Sequence, residues 1–348
     1  MIKKILLMSF SLTVIIAFSA CGITTSPTQT YISAFEKTEN AETMQVQTKT
    51  ILTLDLSNAS DEARNNLEAF KEIKLNTDEW IDRKNKKTET RLFLQAGDIM
   101  GEASLYEDGD LAYLKSSFLG GKYIKLNEFA NDFDTQPYMN EEFIDFYEDI
   151  FIIWKNSVQN EILENEGNSI ENTPDGDIKV KIVSLELNDE SIKSILAKFA
   201  KELSENKEII DIFAKMNSKI VDSMISAGVE GMDESISKEE ISNEVKLFYT
   251  NLPEKLDKVS DKFRVNKLKL TARIDKDSYI ISQKLEGSIT IMTEGEIVIN
   301  FEQEIKRWDI DSGEVKVDIP QISDEDLFDI EEFNDSKAMK DMFEKFIK

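Results

Sequence analysis

The sequence predicts an α+β protein built on one large, curved antiparallel sheet covered by a central helical segment. Three observations predict it. Apolar residues alternate at period two over long runs near both ends of the 348-residue chain. The middle carries apolar stripes at helical spacing instead, and nowhere do strands and helices alternate one for one, as a parallel sheet requires.

Taken in order, Tyr31 to Ala41 (YISAFEKTENA) reads as a short opening helix, with Ile32, Phe35 and Ala34 toward one face. Met44, Val46, Leu52, Leu54 and Leu56 then all fall on even positions, with Thr48 and Thr50 between them, the pattern of a long strand with one buried face. Residues 58–72 form a helical insertion, with Ala63, Leu67 and Phe70 at helical spacing. Strand-like runs follow at Ile73 to Leu75, Thr88 to Ala96, Ile99 to Tyr106, Leu111 to Lys115 and Tyr123 to Leu126. Gly97-Asp98, Asp108-Gly109 and Gly120-Gly121 punctuate them as turns, so the block is an antiparallel meander.

From Glu141 to Glu164 the spacing of Phe143, Phe146, Tyr147, Ile150 and Trp154 is helical. A polar loop from Glu166 to Gly176, holding Pro174, leads to a strand at Ile178 to Leu187. Asn188 or Asp189 caps the next helix, whose Ile192, Ile195, Leu196, Phe199 and Leu203 form one apolar face. A second helical stretch runs from about Lys207 to Ala227. Ser237 to Glu240 is a capping box opening a third through Ile241, Val245 and Phe248, and Pro253 begins a short fourth.

Beyond Lys267 the alternation returns. Leu268, Leu270, Ala272 and Ile274 are even, whereas Tyr279, Ile281, Leu285, Ile289 and Ile291, and then Ile297, Ile299, Phe301 and Ile305, are odd. Turns fall at Asp275-Lys276-Asp277 and Glu294-Gly295. Val315 to Ile319 reads as a last strand stopped by Pro320, and Asp335 to Lys348 as a terminal helix with Met339, Met342, Phe343 and Phe346 inward. Two separate β domains are the competing layout. One sheet assembled from both chain ends explains the one-sided alternation of both halves.

The N-terminus has its own pattern. Lys3 and Lys4 precede an apolar run from Ile5 to Phe18, of signal-peptide length and too short for a comfortable bilayer span, and the small residues Ser19 and Ala20 lead to Cys21. Phe18-Ser19-Ala20-Cys21 resembles the lipobox of bacterial lipoproteins, with Phe where Leu is usual. The resemblance implies a diacylglyceryl group on Cys21, cleavage before it, and a body held at the extracytoplasmic face of the cell membrane. An ordinary secretory signal, with Cys21 a bystander, is the alternative. The organisation is then a signal peptide at 1–20, a flexible tether at 21–30 and a single α+β domain at 31–348. Within that domain 31–130 and 267–320 are strand blocks, 141–262 a mainly helical lid, and 321–348 an acidic segment ending in a helix. Residue usage rich in Lys, Ile, Asn and Glu suggests a low-GC Gram-positive source, and so a Gram-positive cell surface.

Composition excludes several functions. With 42 basic against 68 acidic side chains the net charge is −26, a field that repels nucleic acid and anionic headgroups. There is no histidine, and Cys21 is the single cysteine. Ser-His-Asp and Cys-His catalysis are therefore impossible, and zinc or copper sites lose their usual donors. Carboxylate chemistry survives, but Asp309-Ile310-Asp311-Ser312-Gly313 fails as a calcium loop. Its sixth and twelfth places hold Glu314 and Pro320 rather than glycine and a bidentate acid. No catalytic residue, metal or cofactor is assigned, and the chain is read as a non-enzyme.

Cys21, the segments YISAFEKTENA, MQVQTKTILTLDL, LYEDGDLAYLK, KYIKL and KLKLTARIDKDSYI, and a final VKVDIP give a layout similar to the LolA/LppX-type lipoprotein-carrier superfamily, in its Gram-positive branch. The long helical middle and the insertion at 58–72 depart from that family. The resemblance implies an open half-barrel of antiparallel strands, helices as a lid, and non-covalent binding of a lipid or other apolar ligand. Candidate wall residues are Leu52, Leu54, Leu94, Leu105, Leu270, Ile281, Ile289 and Ile299. An inward leucine is also ordinary core, so the alternative stands: a structural or protein-interaction envelope lipoprotein with a filled core.

Overall fold

The two strand blocks meet in the middle of one sheet. In a computed structural model of the chain, β1 (Thr43–Ala59) lies between β2 (Glu72–Asp82) and β11 (Gly295–Trp308). The structure describes residues 26–109, 111–117, 120–126, 149–150, 152–153, 156–157, 163–226, 238–293 and 295–328. On one side of β1 and β2 the meander continues through β3 (Lys87–Ala96), β4 (Ile99–Asp108), β5 (Leu111–Ser116) and β6 (Tyr123–Lys125). On the other side of β11 come β10 (Ile280–Thr293), β9 (Phe263–Asp275), β8 (Gly176–Leu187) and β7 (Glu164–Thr173). All ten pairings are antiparallel. The order begins at β6 and ends at β7, so the sheet is open. Both strand blocks therefore belong to one sheet.

The first helix shows why the sequence folds this way locally. α1 (Pro27–Glu39) opens on Ser26, whose hydroxyl accepts from Gln29 N at 3.3 Å, with Pro27 at the first helical position. Its Tyr31, Ile32 and Ala34 are buried, and the Thr38 hydroxyl donates to Ala34 O and accepts from Ile280 N. That bond seats the helix on the start of β10. A short helix, α2 (Asp61–Leu67), and a following 3-10 turn carry the chain from β1 to β2.

Between β8 and β9 the chain leaves the sheet for four helices: α3 (Asp189–Glu205), α4 (Lys207–Ser226), α5 (Lys238–Thr250) and α6 (Leu252–Ser260). Asn188 caps α3 by accepting from Ser191 N, while Asp189 accepts from Val265 N and ties the helix start to β9. The apolar faces of these helices close over β8, β9 and β10, where Ile195, Phe199, Leu203, Ile209 and Val245 pack with Val183, Leu270, Ala272 and Ile280. Phe213 and Tyr249 stack with ring centres 4.3 Å apart. This is the main core.

Several sequence expectations need correction. Residues 27–30, assigned to the tether, belong to α1, because Ser26-Pro27 is a stronger helix start than Tyr31. The strand ended at Leu75 in the sequence reading runs on to Asp82, its inner face continuing through Thr77 and Glu79. Most of the expected loop at 166–176 belongs to β7 (Glu164–Thr173), an edge strand in which the exposed Ile170 is the one large apolar residue, so no apolar alternation is visible. Val315 to Ile319 forms no strand. The capping serine Ser237, the stripe at Phe143, Phe146, Tyr147 and Trp154, and the helix at 335–348 lie outside the described residues.

Gly287 shows how tightly β10 and β11 fit. A Cβ built there would stand 2.3 Å from the Phe301 ring and 3.0 Å from Lys267 O, so the ring lies over the space a side chain would fill. Gly287→Ala is expected to lower stability by about 1–3 kcal/mol through this overpacking, as read by equilibrium urea unfolding.

Candidate functional site

Because residues directly opposite in an antiparallel pair share a face, the register places the candidate side chains without ambiguity. Leu54 stands opposite Ile299, and Ile299 opposite Ile289. Leu52 stands opposite Phe301 and Ile73, Leu94 opposite Leu75 and Gly101, and Leu105 opposite Thr90 and Leu114. Leu270 lies opposite Leu285 and Leu185. Following the pairs across the sheet, Leu52, Leu54, Leu94, Leu105, Leu270, Ile289 and Ile299 all lie on the helix-facing side. Ile281 sits at a bulge where β10 sets two residues against one of β9. The other side carries exposed ion pairs such as Lys267–Glu286 and Lys284–Glu302. These mark the solvated face more than they stabilise it.

The helix-facing side divides into two halves. Over β8–β10 it is filled: Leu270 and Ile281 are each 3% exposed, and Leu270 belongs to the main core. Both leave the set of open wall positions. Over β1–β5 the same face takes no part in the main core among the described residues. Leu52, Leu54, Leu94 and Leu105 are half-buried there, as are Ile73, Leu75, Leu92 and Leu114. Ile289, Ile299 and Phe301 lie along the boundary, half-buried, and Ile289 and Phe301 pack on the rim of the core.

On β1 and β2 this half is also graded along the strands, whereas Leu92, Leu105 and Leu114 carry apolar surface along β3–β5. Toward the end of β1 it is leucine and isoleucine. Toward its start come Thr50, Thr48, Thr77 and Thr90, with Gln303 donating to the Thr50 hydroxyl at 3.2 Å. Arg307 closes that end, opposite Val46, with Glu79 one strand further on. Burial works against the Arg307 charge, but guanidinium remains cationic. Its Nη2 lies 3.5 Å from the Glu39 carboxylate of α1. Sequence reasoning singled out none of Glu79, Gln283, Gln303 or Arg307. The signal was the odd phase of β11, which sends Arg307 inward after Ile305.

Burial raises Glu79 above the ordinary carboxylate value of 4.5, outweighing the Thr77 hydroxyl and the Arg307 charge, which favour ionisation. A carboxyl that holds its proton more tightly when folded stabilises the fold in acid and loses that contribution as pH rises through its raised value. Glu79→Gln is therefore expected to be more stable than the parent at pH 7–8. The gain should vanish below about pH 4, where the parent carboxyl is protonated in both states. Urea unfolding at the two pH values reads the difference.

The Asp309–Gly313 segment is a structural latch. Asp311 accepts from Glu42 N, Thr43 N and the Tyr279 hydroxyl, and these bonds hold it below the usual carboxylate range although partial burial opposes them. Among the described residues no group of three or more acids could hold a metal ion, and no helix is long and apolar enough to cross a membrane. Cys21 and the segment before it lie outside the described residues.

No protein-family model matches the chain, and no curated protein matches it. Among solved structures it is similar to a β-barrel-like protein of a domain of unknown function (DUF1849) from Brucella abortus. The likeness covers 77% of this chain and all of that one, at 9% identity and a TM-score of 0.19.

Proposed function

We propose that this chain is a lipoprotein anchored through Cys21 at the extracytoplasmic face of the cell membrane. There it binds a lipid or other apolar ligand without catalysis, on the helix-facing side of β1–β5, in the manner of the LolA/LppX-type carriers. One observation carries the reading: among the described residues the leucine-rich face of β1–β5 stands outside the main core, half-buried, beside a half that the helices fill. Contiguous apolar surface of this kind marks a place where another apolar body is received. Twist accumulated over eleven strands, and the bulges in β1, β9 and β10, favour curvature in such a sheet. An acyl anchor would hold the anionic body at the surface from which such a ligand comes.

Native mass spectrometry of the protein purified from its own membrane tests the reading. Co-purified lipid, displaced by a fluorescent fatty acid, is the expected result. A delipidated protein that takes up no apolar probe would instead establish the filled-core, interaction-only alternative. Cys21→Ser is expected to release the protein or leave it unprocessed, and stable anchoring after that change would overturn the tethering.

A further inference from the structure

The polar end of this face holds a guanidinium that the fold satisfies only in part. Arg307 is 7% exposed, yet its Nη1 has no hydrogen-bond partner, and Gln283 Oε1 on the neighbouring strand is likewise buried and unpaired. The one ion-pair partner of the guanidinium among the described residues is Glu39, at 3.5 Å, and that carboxylate is 43% exposed. A buried donor left unmade forfeits its hydration without return, and the loss is larger for a charged group. Such an atom persists where something else completes it.

The position of Arg307 says what completes it. It lies on the helix-facing side of β11, at the seam between α1 and the open face of β1–β5, in the row that runs through Val46 and Glu79. The apolar residues Leu52, Leu54, Ile73 and Ile299 occupy the other end of that face, with Thr48, Thr50 and Gln303 between. Along β1 and β2 the face thus runs from an apolar stretch through hydroxyls to Glu79, with the Arg307 guanidinium and its unpaired Nη1 beside that end, while Leu92, Leu105 and Leu114 carry apolar surface into the same rows on β3–β5. Glu79 does not compete strongly for that Nη1, since it makes no ion pair with Arg307 within 4 Å and burial favours its protonated form.

We infer that the ligand is an amphiphile with an anionic oxygen headgroup, carboxylate or phosphate, which the Arg307 guanidinium binds while its acyl chain lies along the Leu52–Leu54 end. This rests on the apolar-ligand reading above and adds the headgroup and the orientation. A guanidinium meets an oxyanion through charge-assisted hydrogen bonds roughly twice as strong as neutral ones, and a planar fork favours carboxylate and phosphate geometry.

The test compares three ten-carbon probes, decanoate, decyl phosphate and decanol, by displacement of a neutral apolar fluorophore from the full chain and from Arg307→Gln. The full chain is expected to bind at least one anion about tenfold or more tightly than decanol, a difference of about 1.4 kcal/mol. Arg307→Gln should remove that preference and leave decanol within about twofold. The ratio of decanoate to decyl phosphate then assigns the natural head as carboxylate or phosphate. Decanol binding as tightly as both anions to the full chain, or a preference that survives in Arg307→Gln, would overturn the headgroup assignment and leave the apolar site standing. Failure of all three probes on the full chain would remove the apolar site itself. If Arg307→Gln does not fold, Arg307→Lys takes its place: retained charge without the planar fork should keep part of the preference, and an unchanged preference would exclude the fork geometry.

Discussion

Leu270→Ala is expected to lower the unfolding free energy by about 3–5 kcal/mol, the upper range for deleting a leucine from a core that cannot collapse around the space left. Leu270 is 3% exposed and stands between Leu285 of β10 and Leu185 of β8, under the helices that complete the main core. Backbone on both sides is held in the ladder, so neither strand can move in to fill the void. Leu94→Ala removes the same atoms from the same face of the sheet. It lies in the open half, between Leu75 and Gly101, and is already half-buried, so less apolar surface returns to water. It should cost at most about half as much as Leu270→Ala. Urea unfolding with unchanged m-values reads both costs. Equal losses would mean that the β1–β5 face is packed as densely as the helix-covered half, and the division into filled and open halves would fail.

That division was only partly legible in the sequence. The alternation of Met44 to Leu56 and of Leu268 to Ile274 marks two half-buried strands correctly, and the decision for one sheet follows from their one-sidedness. What alternation cannot say is which part of the buried face meets protein and which meets something else, because Leu94 and Leu270 look alike in sequence. β2 reads short in the sequence for a related reason. After Leu75 its inner positions become Thr77 and Glu79, while the bulky Trp80 falls on the opposite face, so hydropathy runs against the true phase. β7 escaped notice because an edge strand with Ile170 as its one large apolar residue has no apolar period to read. Arg307 was legible in phase but not in meaning. A single cation at the end of a strand is ordinarily a surface residue, and only the register against Val46 and the proximity of Glu39 place it inside.

The second large effect concerns binding rather than stability. Leu54→Asp and Leu94→Asp are each expected to weaken uptake of a neutral apolar fluorophore by at least about tenfold. Covering a carboxylate with an apolar ligand removes its water and supplies no partner, at a cost of several kcal/mol. Both leucines are half-buried in the open half, so the substituted side chains keep access to water in the unliganded protein and the fold should survive. Circular dichroism and the urea midpoint check that. Ile51→Asp supplies the control. Ile51 lies on the same strand but on the solvated face, 40% exposed, opposite Glu302 and Lys74. A charge there changes the net charge of the protein equally without touching the helix-facing side, and uptake should stay within about twofold of the parent. The contrast between Leu54 and Ile51, three residues apart on one strand, ties binding to one face of the sheet. If Ile51→Asp and Leu54→Asp weaken uptake alike, the fluorophore responds to the overall negative charge or to a general loosening, and the open half of β1–β5 is not the binding face.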